Sequence, residues 1–158
     1  MEKAGEVCDL AHRSPEWALL LWALPLNAAW EFAQSPLYAD WNRDWPYLIW
    51  TRLHCTAGDG FILLGAFWFT SLAFRTRHWI GTRRGADALF IAAGFGYTLW
   101  SEWYNTSVRA SWGYSANMPL IIGIGLAPIL QWTLLPPLAL RLLRRSESRR
   151  APRDGAPA

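Results

Sequence analysis

A histidine and three acidic residues stand in or beside apolar stretches of this sequence. His54 and Asp59 precede the apolar run 61–74, and Glu31 and Glu102 lie in two other apolar stretches. If these stretches cross a membrane, each ionisable group costs roughly 2.5–3.5 kcal/mol at the bilayer centre. A histidine and carboxyl groups held in such surroundings can hand protons to a bound molecule or take them from it. The predicted catalytic residues are His54, Asp59, Glu31 and Glu102.

Two of the apolar stretches share one pattern, in which polar residues stand at i, i+4 and i+7 with a glutamate in the middle. This spacing puts three side chains on one face of a helix. We predict that the residues on these two faces, together with two aromatic residues of a later loop, bind the substrate. The predicted substrate-binding residues are Asn27, Gln34, Thr98, Asn105, Trp112 and Tyr114.

Four apolar windows must position these residues, over about 17–34, 50–74, 86–104 and 118–142. Each window approaches the roughly 20 apolar residues that a helix needs to cross the hydrocarbon core of a membrane. A buried helix of a soluble protein is the alternative for any one window. Four windows in series within 158 residues leave almost no polar helix face for a soluble fold. We therefore predict an all-α fold, an up-down bundle of four transmembrane helices.

The composition agrees with a single membrane domain. The chain has 53% hydrophobic residues and 12 Trp, and its mean hydropathy is only +0.06 because polar loops offset the apolar windows. We assign residues 1–145 to one domain and predict that the charged segment 146–158 is a disordered basic tail. Cys8 and Cys55 are too few and too far apart for a disulfide framework or a cysteine metal motif.

The arginine residues predict the orientation of the chain, because cytoplasmic loops keep an excess of Lys and Arg. The connection 75–84 and the C-terminal region 141–153 are both rich in arginine. Both termini are therefore predicted to be cytoplasmic, which agrees with an even number of crossings. A single lysine beside many arginines is typical of a GC-rich bacterial genome. We predict a multi-pass protein of the cell membrane, in a bacterial inner membrane.

The up-down topology predicts that the polar residues meet in the outer half of the bundle. At about 1.5 Å of rise per residue, Glu31 and His54 lie roughly 6 Å inside the outer boundary, and Glu102 lies roughly 4 to 5 Å inside it. The inner half is almost wholly apolar, which suggests a cavity that opens outward and is closed toward the cytoplasm. A second polar layer, about one turn deeper, contains Asn27, Asp59 and Thr98.

These residues also have structural interpretations. Glu31 and Glu102 lie near helix ends, where they can reach water or pair with Arg52 or Arg109. Gln131, the strongly polar residue of the fourth window, is predicted to form hydrogen bonds between helices. The aromatic loop 35–49 is predicted to lie at the membrane interface, and a lid over the site is the alternative.

Four functions fit a polar layer of this kind. The first is acid-base chemistry on a lipophilic substrate, as in an isomerase, hydratase or cyclase. The second is binding of iron, manganese or zinc by mixed nitrogen and oxygen ligands, although no Glu-x-x-His or His-x-x-x-His spacing occurs. The third is a proton or solute pathway, against which the apolar inner half argues. The fourth is an accessory subunit of a larger membrane complex.

The arrangement of Glu31, His54, Asp59 and Glu102 resembles the emopamil-binding and sterol-isomerase family, which also uses small helical bundles with intramembrane histidine and acidic residues. The resemblance covers scattered polar positions and no contiguous motif. We prefer the first function, binding or transformation of a small lipophilic molecule. The expected partners are the lipid bilayer, a lipophilic small molecule and either partner membrane subunits or a second copy of the chain. The sequence identifies no cofactor and contains no nucleic-acid-binding module.

Overall fold

Four α-helices make up most of residues 14–150, which are the residues that the computed structural model describes. The prediction of an all-α fold is confirmed for this part of the chain. The connections contain a 3-10 turn, a π-turn and a small antiparallel hairpin. The helices are α1 (Pro15–Gln34), α2 (Trp45–Phe74), α3 (Ala86–Trp103) and α4 (Leu126–Arg150). The shorter elements are the turns Ser35–Leu37 and Tyr104–Val108 and the strands β1 (Leu120–Ile121) and β2 (Ile124–Gly125).

Local sequence signals explain where these helices begin and end. Proline stands in the first turn of α1, at Pro15, and of α2, at Pro46, where its fixed φ suits a helix and its missing N–H is not needed. At the end of α2, Arg75 takes a left-handed backbone conformation with φ of 54°. The amide of Thr76 then donates to the carbonyl oxygen of Ser71 at 3.0 Å, which satisfies one of the last carbonyl groups of the helix.

The last predicted window, 118–142, differs most from the structure. Residues 118 and 119 have no regular structure, residues 120–125 form the β1–β2 hairpin, and α4 begins only at Leu126. The hairpin turn is formed by Ile122 and Gly123, whose φ angles are 52° and 80°. A two-residue turn with positive φ at both positions suits the twist of a hairpin, and it interrupts a helix.

The other end of α4 also differs from the expectation. The helix continues to Arg150, so residues 146–150, which the sequence assigned to a disordered tail, are helical. Arginine and glutamate are good helix formers, and the hydroxyl of Ser148 donates to the carbonyl oxygen of Arg144 at 2.8 Å. The rest of that predicted tail, 151–158, lies outside the described residues, and so does Cys8.

The helices form a ring in which each helix packs against the next in sequence and α1 packs against α4. One end of the ring is closed by aromatic residues. Trp79, in the connection between α2 and α3, is fully buried and lies between Phe67 and Phe90, with ring centroids 5.4 and 5.3 Å away. Its indole N–H donates to the hydroxyl of Ser71 at 3.2 Å. This end therefore has little room for a ligand.

Ion pairs join the helices at the same end. Arg77 pairs with Glu16 at the start of α1. Arg144, near the end of α4, donates to both carboxylate oxygens of Asp87 at 2.6 Å. These contacts are consistent with helices that alternate in direction around the ring.

At the opposite end, the connection after α1 pairs with the connection before α4. The amide of Ala39 donates to the carbonyl oxygen of Gly113, and the amide of Ser115 donates to that of Leu37, both at 2.9 Å. The rings of Tyr38 and Tyr114 lie beside this pairing, 5.8 Å apart between centroids. The two connections therefore cover this end together.

α3 and α4 come into close contact at Gly94, a glycine that the sequence analysis did not single out. A Cβ atom placed on Gly94 of α3 would lie 2.1 Å from Cζ3 of Trp132 on α4, so the indole packs directly on the α3 backbone. Gly58 and Gly65 of α2 have no heavy atom of the described residues within 4 Å of such a Cβ. Among the described residues, they face open space rather than a helix.

Within residues 14–150, two helices are long and apolar enough to cross a membrane by length and composition. They are α2 and the part of α4 that spans Leu126–Arg149. A buried helix of a soluble protein can have the same length and composition. The coarse prediction of membrane-spanning helices is supported for these two.

Candidate functional site

A cavity of about 550 Å³ lies beneath the paired connections, and residues of α1, α2, α3 and α4 line it. The four predicted catalytic residues are all in its lining, although they come from three helices. Three of the predicted substrate-binding residues also line it. These seven residues are Glu31, His54, Asp59, Glu102, Thr98, Asn105 and Trp112.

The three remaining predicted binding residues stand behind the cavity wall, where they hold its lining residues. Asn27 and Gln34 are buried on the same face of α1 as Glu31, as the i, i+4, i+7 spacing predicted. Tyr114 reaches Glu102 from the connection before α4.

Gln131 of α4 joins three helices by hydrogen bonds, as predicted from its place in the fourth window. Its side-chain N–H group donates to Oδ1 of Asn27 at 2.9 Å and to Oδ2 of Asp59 at 2.7 Å. Asn27 in turn donates to the carbonyl oxygen of Ala23 at 2.8 Å. Because Gln131 is 3% exposed, no bulk water competes for these bonds. The amide therefore fixes the position of the Asp59 carboxyl group.

The carboxyl group of Glu31 is held by its own helix. The side-chain N–H group of Gln34 donates to Oε1 of Glu31 at 2.7 Å, and the indole N–H of Trp30 donates to the side-chain oxygen of Gln34 at 2.9 Å. Gln34 also approaches the side-chain oxygen of Gln131 at 3.4 Å. The Glu31 and Asp59 carboxyl groups thus belong to one network of hydrogen bonds.

Glu102 is held from the loop instead. The hydroxyl of Tyr114 donates to Oε2 of Glu102 at 2.5 Å, and the indole N–H of Trp112 approaches the same oxygen at 3.4 Å. Burial, and then the nearby Glu102 carboxyl group, raise the pKa of the Tyr114 hydroxyl above its usual range. Tyr114 therefore keeps its proton and remains a hydrogen-bond donor to Glu102.

The three carboxyl groups share one arrangement. In each of them, one oxygen accepts a hydrogen bond from a fixed amide or hydroxyl group. Among residues 14–150, the second oxygen of each makes no side-chain hydrogen bond of normal length and angle. Since all three residues line the cavity, a bound molecule with hydrogen-bond donors can reach oxygens that the protein leaves available. These residues are Glu31, Asp59 and Glu102.

An arginine that the sequence analysis did not count among the site residues also lines the cavity. The side chain of Arg52 is 4% exposed and donates to Oδ1 of Asp40 at 2.5 Å. Its guanidinium carbon lies 5.3 Å from the centroid of the Tyr38 ring, a distance typical of a cation–π contact. The sequence did contain a signal for this ion pair, namely an arginine at the outer end of α2 and an aspartate in the loop before it. Because Arg52 pairs with Asp40, the suggested pairing of Glu31 or Glu102 with an arginine does not occur among the described residues.

Three buried polar atoms of lining residues have no hydrogen-bond partner within residues 14–150. They belong to Arg52, Thr98 and Trp132 and are Nε, Oγ1 and Nε1, respectively. Each of these residues is at least nine-tenths buried. A buried polar group without a partner destabilises a protein by about 1–3 kcal/mol, and such groups are uncommon in native structures. A polar molecule or water in the cavity would supply the hydrogen-bond partners that these atoms lack.

His54 lies at the edge of the site rather than in its network. It is exposed and lines the cavity, and its ring centroid is 6.3 Å from that of the exposed Trp50. Among the described residues, its ring nitrogens make no hydrogen bond. The cavity therefore reaches the surface of α2 here, and His54 stands at its mouth.

The alternative interpretation as a metal site is not supported. Within residues 14–150, no three His, Cys, Asp or Glu side chains come close enough together to hold one metal ion. The four ionisable residues share a cavity without converging on one point.

Comparison with models of protein families, with curated proteins and with solved structures finds no match for this chain. The resemblance of its polar positions to the emopamil-binding and sterol-isomerase family stays an expectation from the sequence. The function is therefore argued from the site itself.

Proposed function

We propose that this protein spans a membrane with α1, α2, α3 and α4, as an up-down four-helix bundle with both termini in the cytoplasm. The lengths of the helices support this. At about 1.5 Å per residue, the 20 residues of α1 extend about 30 Å, close to the thickness of the hydrocarbon core. The 30 residues of α2 are more than long enough.

The outward faces of the helices support the same proposal. Large apolar side chains are exposed on every helix, including α1 and α3. The glutamates of the site, Glu31 on α1 and Glu102 on α3, are buried and therefore would not be exposed to lipid. Examples of the exposed side chains are Trp17 and Leu21 on α1, Phe61 and Leu72 on α2, Trp100 and Trp103 on α3, and Leu134 and Leu138 on α4.

The distribution of arginine supports the orientation. Arg75, Arg77, Arg83 and Arg84 lie in the connection at the aromatic closed end of the ring, and positive residues stay on the cytoplasmic side. The cavity would then lie in the outer half of the membrane, which is the periplasmic half in a bacterial inner membrane.

The function that this site supports best is binding of a small lipophilic molecule and its transformation by acid-base chemistry. One observation carries the proposal, namely three carboxyl groups around one cavity. In each, one oxygen is held by a hydrogen bond, and the other makes no side-chain hydrogen bond of normal length and angle within residues 14–150. A carboxyl group fixed in this way can accept a hydrogen bond from a substrate hydroxyl or amine, and it can exchange a proton with a substrate carbon or oxygen. Asp59, which Gln131 holds in the deeper layer, is the strongest candidate for the proton-transferring group.

The closed end argues against the alternative of a continuous proton or solute pathway. Trp79, Phe67 and Phe90 fill the ring where such a path would have to reach the cytoplasm. The rings of Phe67 and Phe90 carry no polar group that could relay protons, and the indole N–H of Trp79 is already donated to the hydroxyl of Ser71.

The test is the set of small molecules that stay with the purified protein. Wild type, Asp59→Asn and Asp44→Asn are purified in the same detergent, and their extracts are compared by mass spectrometry. Asp44 is the matched control because it is exposed and precedes α2 without a side-chain capping bond. We expect a compound that wild type and Asp44→Asn retain and Asp59→Asn loses. Identical extracts from all three proteins would contradict the proposal.

A further inference from the structure

A second cavity, of about 780 Å³, lies on the outside of the ring between α2 and α3. Its lining comes from these two helices and is almost entirely apolar. The side chains of Phe61, Phe69 and Tyr97 border it and are between half and three-quarters exposed. We call this cavity the α2–α3 groove. In a membrane it would face the lipid.

Gly58 and Gly65 carry no side chain that would fill the α2–α3 groove. A Cβ atom on Gly58 or Gly65 would meet no heavy atom of residues 14–150 within 4 Å, so within this part of the chain both positions border empty space. Packing of α2 against α3 therefore does not explain these glycines. A larger side chain at Gly65 would enter the groove rather than collide with the protein.

The α2–α3 groove joins the polar cavity. Gly58, Ile62 and Ser101 line both. In the sequence, Asp59 directly follows Gly58 and Glu102 directly follows Ser101. The carboxyl groups thus stand where the polar cavity meets the apolar groove.

We propose that the ligand is an elongated amphiphile, with a hydroxyl-bearing head in the polar cavity and a single hydrocarbon tail in the α2–α3 groove. This deepens the proposed function and rests on it. The head would meet the carboxyl groups and the hydroxyl of Thr98, which has no hydrogen-bond partner within residues 14–150, and the tail would meet mainly apolar side chains. From Gly58 to Phe69 the helix rises about 16 Å, which suits a long alkyl chain. With the cavity in the outer half, the head would lie near the surface and the tail would point toward the midplane, as in an outer-leaflet lipid.

Photolabelling tests where the two ends of such a molecule lie. Two diazirine derivatives of hexadecanol are used in lipid nanodiscs, one with the reactive group near the hydroxyl and one with it at the tail end. Labelled residues are mapped by mass spectrometry, with and without excess unlabelled hexadecanol. We expect competed labelling of the cavity mouth, at His54 or Trp112, from the first probe. The second probe should label Phe69.

A matched pair of variants tests the groove itself. Gly65→Leu fills it, whereas Gly96→Leu adds the same side chain at a position that is equally open and lines neither cavity. Displacing even two methylene groups of the tail should weaken hexadecanol binding about tenfold in Gly65→Leu. Gly96→Leu should bind like wild type. Equal binding by the two variants would overturn the assignment of the tail to the groove.

A short probe separates this inference from the proposed function. A diazirine derivative of butanol has no tail to place, so it should label the cavity mouth equally in wild type and Gly65→Leu, and less in Asp59→Asn. If it does so while the long probe is unaffected by Gly65→Leu, the inference fails and the proposed function stands. If it gives no competed labelling at the cavity, the proposed function fails. If there is no competed tail labelling, and a photoreactive amino acid in place of Phe69 crosslinks to a second copy of the chain, the groove is assigned to a partner helix.

Discussion

Gly94 offers a direct test of how packing between α3 and α4 shapes the site. An added Cβ would lie 2.1, 2.8 and 2.9 Å from three ring carbons of Trp132. Carbon atoms in contact sit about 3.5–4.0 Å apart, so Gly94→Ala requires the indole to move by about 1.5 Å or more. Gly96, two residues along the same helix, has no heavy atom within 4 Å of such a Cβ. Gly96→Ala is therefore the matched control.

The expected magnitude follows from the difference between the two variants. Replacing glycine by alanine in a helix is favourable by up to about 1 kcal/mol, and this gain is common to both. Overpacking of a core adds a penalty of about 1–3 kcal/mol in Gly94→Ala alone. The free energy of unfolding should therefore be about 1–3 kcal/mol lower for Gly94→Ala than for Gly96→Ala.

The same movement should reach the site, because Trp132 lines the polar cavity. An indole pushed away from α3 changes the shape of the cavity, so Gly94→Ala should also bind the butanol probe more weakly than Gly96→Ala does. Stability is measured by titration with a denaturing detergent in mixed micelles, and binding by competed photolabelling. Equal unfolding free energies for the two variants would refute the reasoning, since they would mean that Trp132 does not rest on the backbone of Gly94.

Three further variants test contacts of the site. Gln131→Leu removes two donated hydrogen bonds and should lower the free energy of unfolding by about 1–3 kcal/mol, measured by the same titration; an unchanged value would show that the network contributes nothing. Asp40→Asn should lower it by about 1–2 kcal/mol, less than for a fully buried pair because Asp40 is 29% exposed, and adding Arg52→Met should restore part of the loss. The raised pKa of Tyr114 predicts that its bond to Glu102 stabilises the fold fully below the unfolded tyrosine pKa of about 10 and that this stabilisation is lost as pH rises through the higher folded pKa. Tyr114→Phe should therefore remove a late-ionising component from the alkaline absorbance titration, and an unchanged titration would contradict the assignment.

Periodicity along single helices was readable from the sequence. The i, i+4, i+7 spacing predicted that Asn27, Glu31 and Gln34 share a face, and all three are buried on one face of α1. Up-down connectivity likewise predicted that polar residues far apart in sequence would approach one another, and Gln131 does bond to Asp59. Both inferences depend on helix geometry and chain direction, which are local or nearly local properties.

Contacts between specific atoms were not readable in the same way. The spacing gave no sign that Tyr114 would bond to Glu102, or that Asp40 rather than a glutamate would pair with Arg52. The hairpin before α4 was missed because an apolar run such as Leu120-Ile121-Ile122 fits a helix and a strand equally well. The left-handed turn at Ile122 and Gly123 decides between them.

The sequence by itself determined that this protein is helical, which residues are polar within its apolar stretches, and which face of each helix carries them. These properties follow from composition and from a repeat of 3.6 residues, so no other part of the chain is needed to state them. The tertiary structure alone decided which glycines are covered and which stay open, how one amide ties three helices together, and that a polar cavity continues into an apolar groove. Such features depend on the distances between helices, which are set by the side chains of two or more segments at once, and one segment's sequence does not contain that information.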